Sequence, residues 1–304
     1  MTQISTTSPD PIAPAPTAPV AVTGATGAQG GATARALLRL GLPVRALTRD
    51  PAGPAAAALR TLGAEVVRAD FDDPASLAAA LDGAGALFAM STPFGSDLDT
   101  EVRQGEALLD AAAAAGGVRH IVLTSATNAD RSTGIPHFDT KWRLERHLAA
   151  LDVPWTVIGP GVFMDNYTND WTLQSLREGV LHLPMPADRP LPLIAAADIG
   201  AFAALVLSRP EEFAGQRIDI ASQWRTPEQI AAAIAAASGR DIRLEEVPLS
   251  VVAGYSEDLA AMFRYFQETG LDVDVDALHA RYPQTGWHTV EAWAAEQSWD
   301  LGPA

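Results

Sequence analysis

Short apolar runs alternate with longer, alanine-rich helix-like segments from Pro19 to about Gly159. The runs at 20–23, 44–48, 65–68, 86–90, 118–123 and 155–158 predict strands. The segments at 28–40, 54–62, 74–81, 98–115 and 136–151 predict the helices between them. Pro54, Pro74 and Pro136 stand near helix starts, where a missing N–H costs nothing, and Gly41, Gly63, Gly83 and Gly116 fall just past helix ends. Strands this apolar, each joined by a helix, imply an α/β chain with a parallel sheet covered on both faces.

The regularity breaks after Gly161. Residues 163–192 mix aromatics, prolines and acids and read as a loop-rich excursion. The alternation resumes with a helix at 196–207 and a strand at 217–221, and Thr226-Pro227 opens another helix as N-cap and first position. From about residue 244 the chain reads as mostly helical, with Met262, Phe263, Tyr265 and Phe266. The expected organisation is a disordered leader at 1–18, a nucleotide-binding lobe from 19–160 plus 196–221, and a smaller substrate or partner lobe from 161–195 and 222–304.

Val20-Ala-Val-Thr-Gly24-Ala-Thr-Gly27-Ala-Gln-Gly30 is a strand, a glycine turn and a helix start in sequence. A helix N-terminus offers unpaired N–H groups and positive dipole to a phosphate. Gly24 permits the turn, Gly27 a close approach to pyrophosphate, and Gly30 close helix packing, while Thr26, Ala28 and Gln29 complete the cradle. The spacing is G-x-x-G-x-x-G, not the commoner G-x-G-x-x-G.

Composition narrows the class. The 304 residues are 48% hydrophobic and contain no cysteine, which excludes disulfides, thiolate metal sites and a cysteine nucleophile. No apolar run approaches the roughly 18 residues of a membrane span, and a cytoplasmic protein is expected. A net charge of −16 without a basic run argues against direct nucleic-acid binding. Twenty of the 21 basic residues are arginine, and Lys141 is the single lysine. A position that keeps lysine in such a chain either needs a compact ammonium or survives by chance.

Ligands of open parallel sheets bind outside the carboxyl ends of the strands. Arg49, after the second strand, favours a 2′-phosphate and hence NADP, although the adjacent Asp50 leaves NAD open. Asp70 and Phe71, after the third strand, border the adenine, unless Asp70 merely caps the next turn. Ser91 and Thr92 after the fourth strand, and Pro160, Gly161 and Phe163 after the sixth, line the cofactor's path. His137 and Lys141, four apart, share a helix face: the lysine can hold a nicotinamide ribose, and the imidazole is either a proton donor or part of an exposed face. Phe94, Ser125, Phe163, Met164, Tyr167 and Trp171 wall an acceptor pocket or pack between lobes. Asp97 and Asp99, and Asp272, Asp274 and Asp276, lack histidines at metal-ligand spacing and read as solvated loops.

Val22-Thr-Gly-Ala-Thr-Gly-Ala-Gln-Gly, Val44-Arg-Ala-Leu-Thr-Arg-Asp, Gly63-Ala-Glu-Val-Val and Ala69-Asp-Phe-Asp-Asp resemble the NmrA-like family of atypical short-chain dehydrogenases. So do His137-Phe-Asp-Thr-Lys, Gly159-Pro-Gly-Val-Phe-Met-Asp-Asn and Ala261-Met-Phe-Arg-Tyr-Phe, and the likeness runs from about Val20 to Trp293. The resemblance implies a Rossmann-type doubly wound parallel sheet that binds NADP(H), with a smaller, mostly helical C-terminal lobe closing over the nicotinamide. Short-chain dehydrogenases use a Tyr-x-x-x-Lys pair. Here His137 takes the tyrosine's place, and none of the four tyrosines has a lysine four residues on. Two functions follow from the resemblance. One is an NADPH-dependent reductase passing hydride to a small hydrophobic acceptor such as a quinone or conjugated carbonyl. The other is a catalytically weak redox sensor that reads NADP(H) for a protein partner. Either works as a monomer or homodimer.

Overall fold

The computed structural model describes residues 18–91 and 97–302. The expected leader, Ala18 apart, and the candidates Thr92 and Phe94 lie outside them. The first part of the chain is β1 (Val20–Val22), α1 (Ala28–Arg39), β2 (Val44–Thr48), α2 (Pro54–Thr61), β3 (Glu65–Arg68), α3 (Pro74–Leu81), β4 (Ala86–Ala89), α4 (Leu98–Ala114), β5 (Ile121–Thr124), α5 (Pro136–Ala149) and β6 (Trp155–Pro160). Gly41, Gly63, Gly83 and Gly116, past the ends of α1 to α4, all have positive φ, the left-handed stop that favours glycine.

Next come β7 (Val162–Phe163), α6 (Asp170–Arg177), β8 (Val180–Leu183), β9 (Leu191–Ile194), α7 (Ala196–Ser208), α8 (Pro210–Phe213) and β10 (Gln216–Ile220). The chain then runs through β11 (Gln223–Arg225), α9 (Pro227–Ser238), β12 (Arg243–Glu246), α10 (Leu249–Ala253), α11 (Glu257–Glu268), α12 (Val275–Arg281) and α13 (Val290–Glu296).

Seven strands form one parallel sheet in the order β10-β6-β5-β4-β1-β2-β3. The order reverses between β1 and β4, and that reversal opens a crevice at their carboxyl ends. Alternation along the strands feeds two apolar layers. Phe88 and Val122 face a cluster with Leu37 of α1 and Ile199 and Phe202 of α7. Leu87, Ala89, Ile121 and Leu123 face the opposite cluster with Leu77, Leu108 and Leu144 of α3, α4 and α5. Two glycines set helix spacing. A Cβ at Gly200 of α7 would collide with the backbone of Ala32 on α1, and one at Gly105 of α4 with the side chain of Leu144 on α5.

A third apolar cluster is assembled from two stretches, one before α7 and one after β10. It joins Met164, Tyr167, Leu181 and Leu193 to Ile230, Ile234, Phe266 and Trp293. Two small sheets frame it: β11-β9-β7, and β8 paired in parallel with β12. The region expected to be loop-rich, 163–192, therefore contains α6 and β8 and the start of β9. The helical stretch after residue 244 opens inside β12. Both strands of the β8–β12 pair are short and their partners lie about sixty residues apart, so neither shows a local periodic pattern.

Candidate functional site

The turn after β1 is built around Gly24, whose φ of 59° suits glycine and whose absent Cβ leaves room for the Met90 sulfur. The Gly27 N–H donates to the Gly24 carbonyl (2.9 Å), and Gly27 is the N-cap of α1 without a side-chain hydrogen bond. The N–H groups of Ala28, Gln29 and Gly30 thus have no intrahelical acceptor. A Cβ on Gly30 would run into the Thr23 and Gly24 carbonyls. Thr23 pins the turn to β4: its hydroxyl accepts from the Met90 N–H (2.8 Å) and donates to the Phe88 carbonyl (3.2 Å). Thr26, Gly27 and Ala28 are exposed, while the Gln29 side chain accepts from the Thr124 hydroxyl at the end of β5 (2.8 Å). Beside this turn, Ala28, Arg35 and Arg39 of α1 and Asp165 and Ala197 border a small cavity of about 180 Å³.

Arg49 is exposed at the carboxyl end of β2. Asp70 accepts from the Asp72 N–H (3.2 Å) and lies 3.6 Å from Arg68, so it closes its own turn, whereas Asp73 caps α3 by accepting from Ser76. Phe71 is half-buried against the apolar layer containing Leu77.

Across the crevice, at the end of β4, sits the single lysine. Lys141 Nζ donates to the Ser91 carbonyl (2.6 Å) and hydroxyl (3.0 Å) and contacts Glu101 Oε1 (2.6 Å). An ammonium has three donors, and these contacts use all of them. Glu101, on α4, is fully buried; it also accepts from the hydroxyls of Ser91 (2.9 Å) and Thr140 (2.6 Å). Burial pushes the Lys141 ammonium below the usual lysine range, against the pull of Glu101. The sequence reading missed Glu101, although a signal existed. Positions 101, 105, 108 and 112 form the buried stripe of α4, and an acid there requires a partner.

One turn before Lys141, His137 is nearly buried on α5. Asp258 of α11 accepts from both its backbone N–H (2.9 Å) and its Nδ1 (2.6 Å), so this carboxylate closes the first turn of α5 from outside the helix. Burial pushes the imidazole below the ordinary histidine value, Asp258 pulls it up and Lys141 pushes it down.

The remaining candidates scatter. Met164 and Tyr167 are buried in the third cluster, where Tyr167 packs edge-on against Trp293, so neither presents a wall to the crevice. Trp171 is 84% exposed on α6, beside the Tyr255 ring. Phe163 is half-buried in β7 against the cluster containing Ile199. Pro160 ends β6, and a Cβ on Gly161 would strike the Pro192 carbonyl, so that glycine lets β6 run close to β9. Ser125 donates to Glu145, one turn after Lys141 on α5. Glu145 belongs to a buried network with Arg217 (2.8 Å) and Asp219 (2.5 Å from Arg217). Burial pushes both carboxyls above their ordinary values, against the pull of Arg217. Among the described residues there is no metal-binding group of three or more His, Cys, Asp or Glu, and no helix is long and apolar enough to cross a membrane.

The chain resembles known proteins over most of its length. The model of the NmrA-like family matches residues 16–294. An NAD(P)H azoreductase of Xenophilus azovorans is 30% identical over 221 residues, covering 72% of this chain and 74% of the relative. The structure of an NADPH-dependent quinone oxidoreductase from Escherichia coli, complexed with NADPH, superposes with a TM-score of 0.75 at 27% identity over 91% of this chain and 98% of that one. A negative transcriptional regulator in complex with NAD shares the fold (TM-score 0.75, 22% identity, 92% and 94% coverage).

Proposed function

The chain belongs to the NmrA-like family, and we propose that it is an NADP(H)-dependent reductase of a small hydrophobic acceptor, a quinone or conjugated carbonyl. One observation carries the reading: the uncapped N-terminus of α1 follows β1 at the reversal of strand order, and beyond the neighbouring β4 a buried lysine is tied to Ser91. The cradle fits a pyrophosphate. Cβ atoms at Gly24 and Gly30 would meet neighbouring atoms, and the first N–H groups of α1 are unspent. Gly24, Thr26, Gly27, Ala28, Gln29 and Gly30 would hold the pyrophosphate and Arg49 the 2′-phosphate. Asp70 and Phe71 would flank the adenine, and Ser91, Lys141, Pro160, Gly161 and Phe163 the nicotinamide half.

When bound, NADPH supplies a hydride. The chain's part is to orient and to place charge. Lys141, fixed by Glu101 and Ser91, keeps a positive charge at the crevice floor, where a negative oxygen would develop. His137 is held by Asp258 through Nδ1, and a quinone makes the smallest demand on a proton donor. The likeness to an azoreductase and a quinone oxidoreductase supports this acceptor class.

NADPH oxidation is to be followed with a panel of quinones, enals and aryl ketones. Turnover with quinones is the expected result. Tight NADPH binding with no acceleration by any acceptor would instead favour the sensor reading.

A further inference from the structure

A cavity of about 430 Å³ is lined by β11 and by parts of 273–289. None of the residues assigned above to cofactor or acceptor lines it. Its volume falls in the range of small-molecule sites.

The wall has a consistent chemistry. Trp224 and Trp287 contribute indole rings, and both indole N–H groups are spent on backbone carbonyls, of Val273 (3.2 Å) and Tyr282 (3.1 Å). They therefore offer ring surface and no donor. His279 stacks on Trp287 (centroids 5.4 Å apart, planes 10° apart), and its Nε2 is buried without a hydrogen-bond partner among the described residues. Asp274 and Asp276 supply carboxylates at the same wall, and one oxygen of Asp274 already caps α12 by accepting from the Ala277 N–H. Arg225, the cation of the lining, is paired with Glu291 (3.0 Å).

We propose that this cavity binds a small organic cation with an aromatic or apolar body. Indole faces attract cations through the ring quadrupole. The carboxylates supply the opposite charge. Anionic ligands meet two carboxylates in a chain of net charge −16 and are rejected. The acids at 274 and 276, which read from sequence as a solvated loop, are thereby given a ligand.

Calorimetry on the full chain tests this with phenethylamine and benzamidine, against the anion 3-phenylpropionate. The two cations should bind with Kd of about 1 mM or tighter, and the anion about tenfold or more weaker. The Asp274→Asn, Asp276→Asn double variant should lose about tenfold in phenethylamine affinity. Trp287→Phe keeps a ring and tests whether a folded variant still binds, while Trp287→Ala should lose binding with NADPH affinity unchanged. Absence of amine binding, equal binding of 3-phenylpropionate, displacement of phenethylamine by NADPH, or a double variant that binds like the parent would each overturn the proposal.

Discussion

The two sides of the crevice between β1 and β4 are built on opposite principles. On the β1 side the donors belong to the backbone and are left open: α1 starts without a side-chain cap, and three glycines keep side chains out of the way. On the β4 side the donors belong to one side chain and are all taken, because Lys141 is tied to Ser91 twice and to Glu101 once. A surface meant for an external anion keeps its hydrogen bonds unspent. A buried charge cannot, since an isolated ion in the interior costs far more than a paired one. The first side therefore holds the affinity of the site, and the second holds its own shape and a fixed charge.

Lys141→Met would put the greatest strain on this contrast. It strands the fully buried Glu101 carboxylate and should cost about 3–5 kcal/mol in urea unfolding. Adding Glu101→Gln should restore most of that stability but leave quinone reduction impaired. Normal turnover in the double variant would reduce Lys141 to a structural role. On the other side, Gly30→Ala drives a Cβ into the Thr23 and Gly24 carbonyls. NADPH affinity by calorimetry should fall about 100-fold, about 3 kcal/mol, and unchanged affinity would mean that α1 does not receive the phosphates.

Arg49→Ala sharpens the binding side further. Losing one charged contact should weaken NADPH by about 1.5–3 kcal/mol while NADH binding stays level. Equal losses for both cofactors would remove the 2′-phosphate assignment. The smallest effect concerns pH. His137 is pushed below its ordinary value by burial, so the unfolded chain takes up this proton first as pH falls. Stability from neutral His137 is then present above about pH 6.5 and lost as pH drops below it. His120, pushed down to about 4 by burial, adds a slope of the same sign. His137→Gln should flatten, without abolishing, the fall of Tm between pH 6.5 and 4; an unaltered slope would show that His137 does not contribute.

The parallel sheet was legible because each strand in 20–158 carries its own apolar run and the first four helices each end at a glycine. Residues 163–192 were not, because β8 finds its partner in β12 and nothing nearby announces it. The site divides the same way. The glycine turn is a local motif and could be read, and so could the solitary lysine. Glu101 and Asp258 act through contacts 40 and 121 residues away in sequence, which only the folded chain brings together. Met164 and Tyr167 show the converse failure: aromatic and thioether side chains after a strand serve a pocket or a core equally well, and here they entered the core.

The third apolar cluster draws on chain from both sides of β10, and that has a kinetic consequence. Gln216 of β10 pairs with Thr156 of β6 across sixty residues, a long loop to close before any reward. Until β10 docks, the stretches holding Leu193 and Ile234 have no reason to meet. The expected order of assembly is strands β1 to β6 first, then β10, then the cluster. A chain cut after β10 would leave the faces of β7 and β9 bare, a surface prone to self-association rather than a smaller working unit.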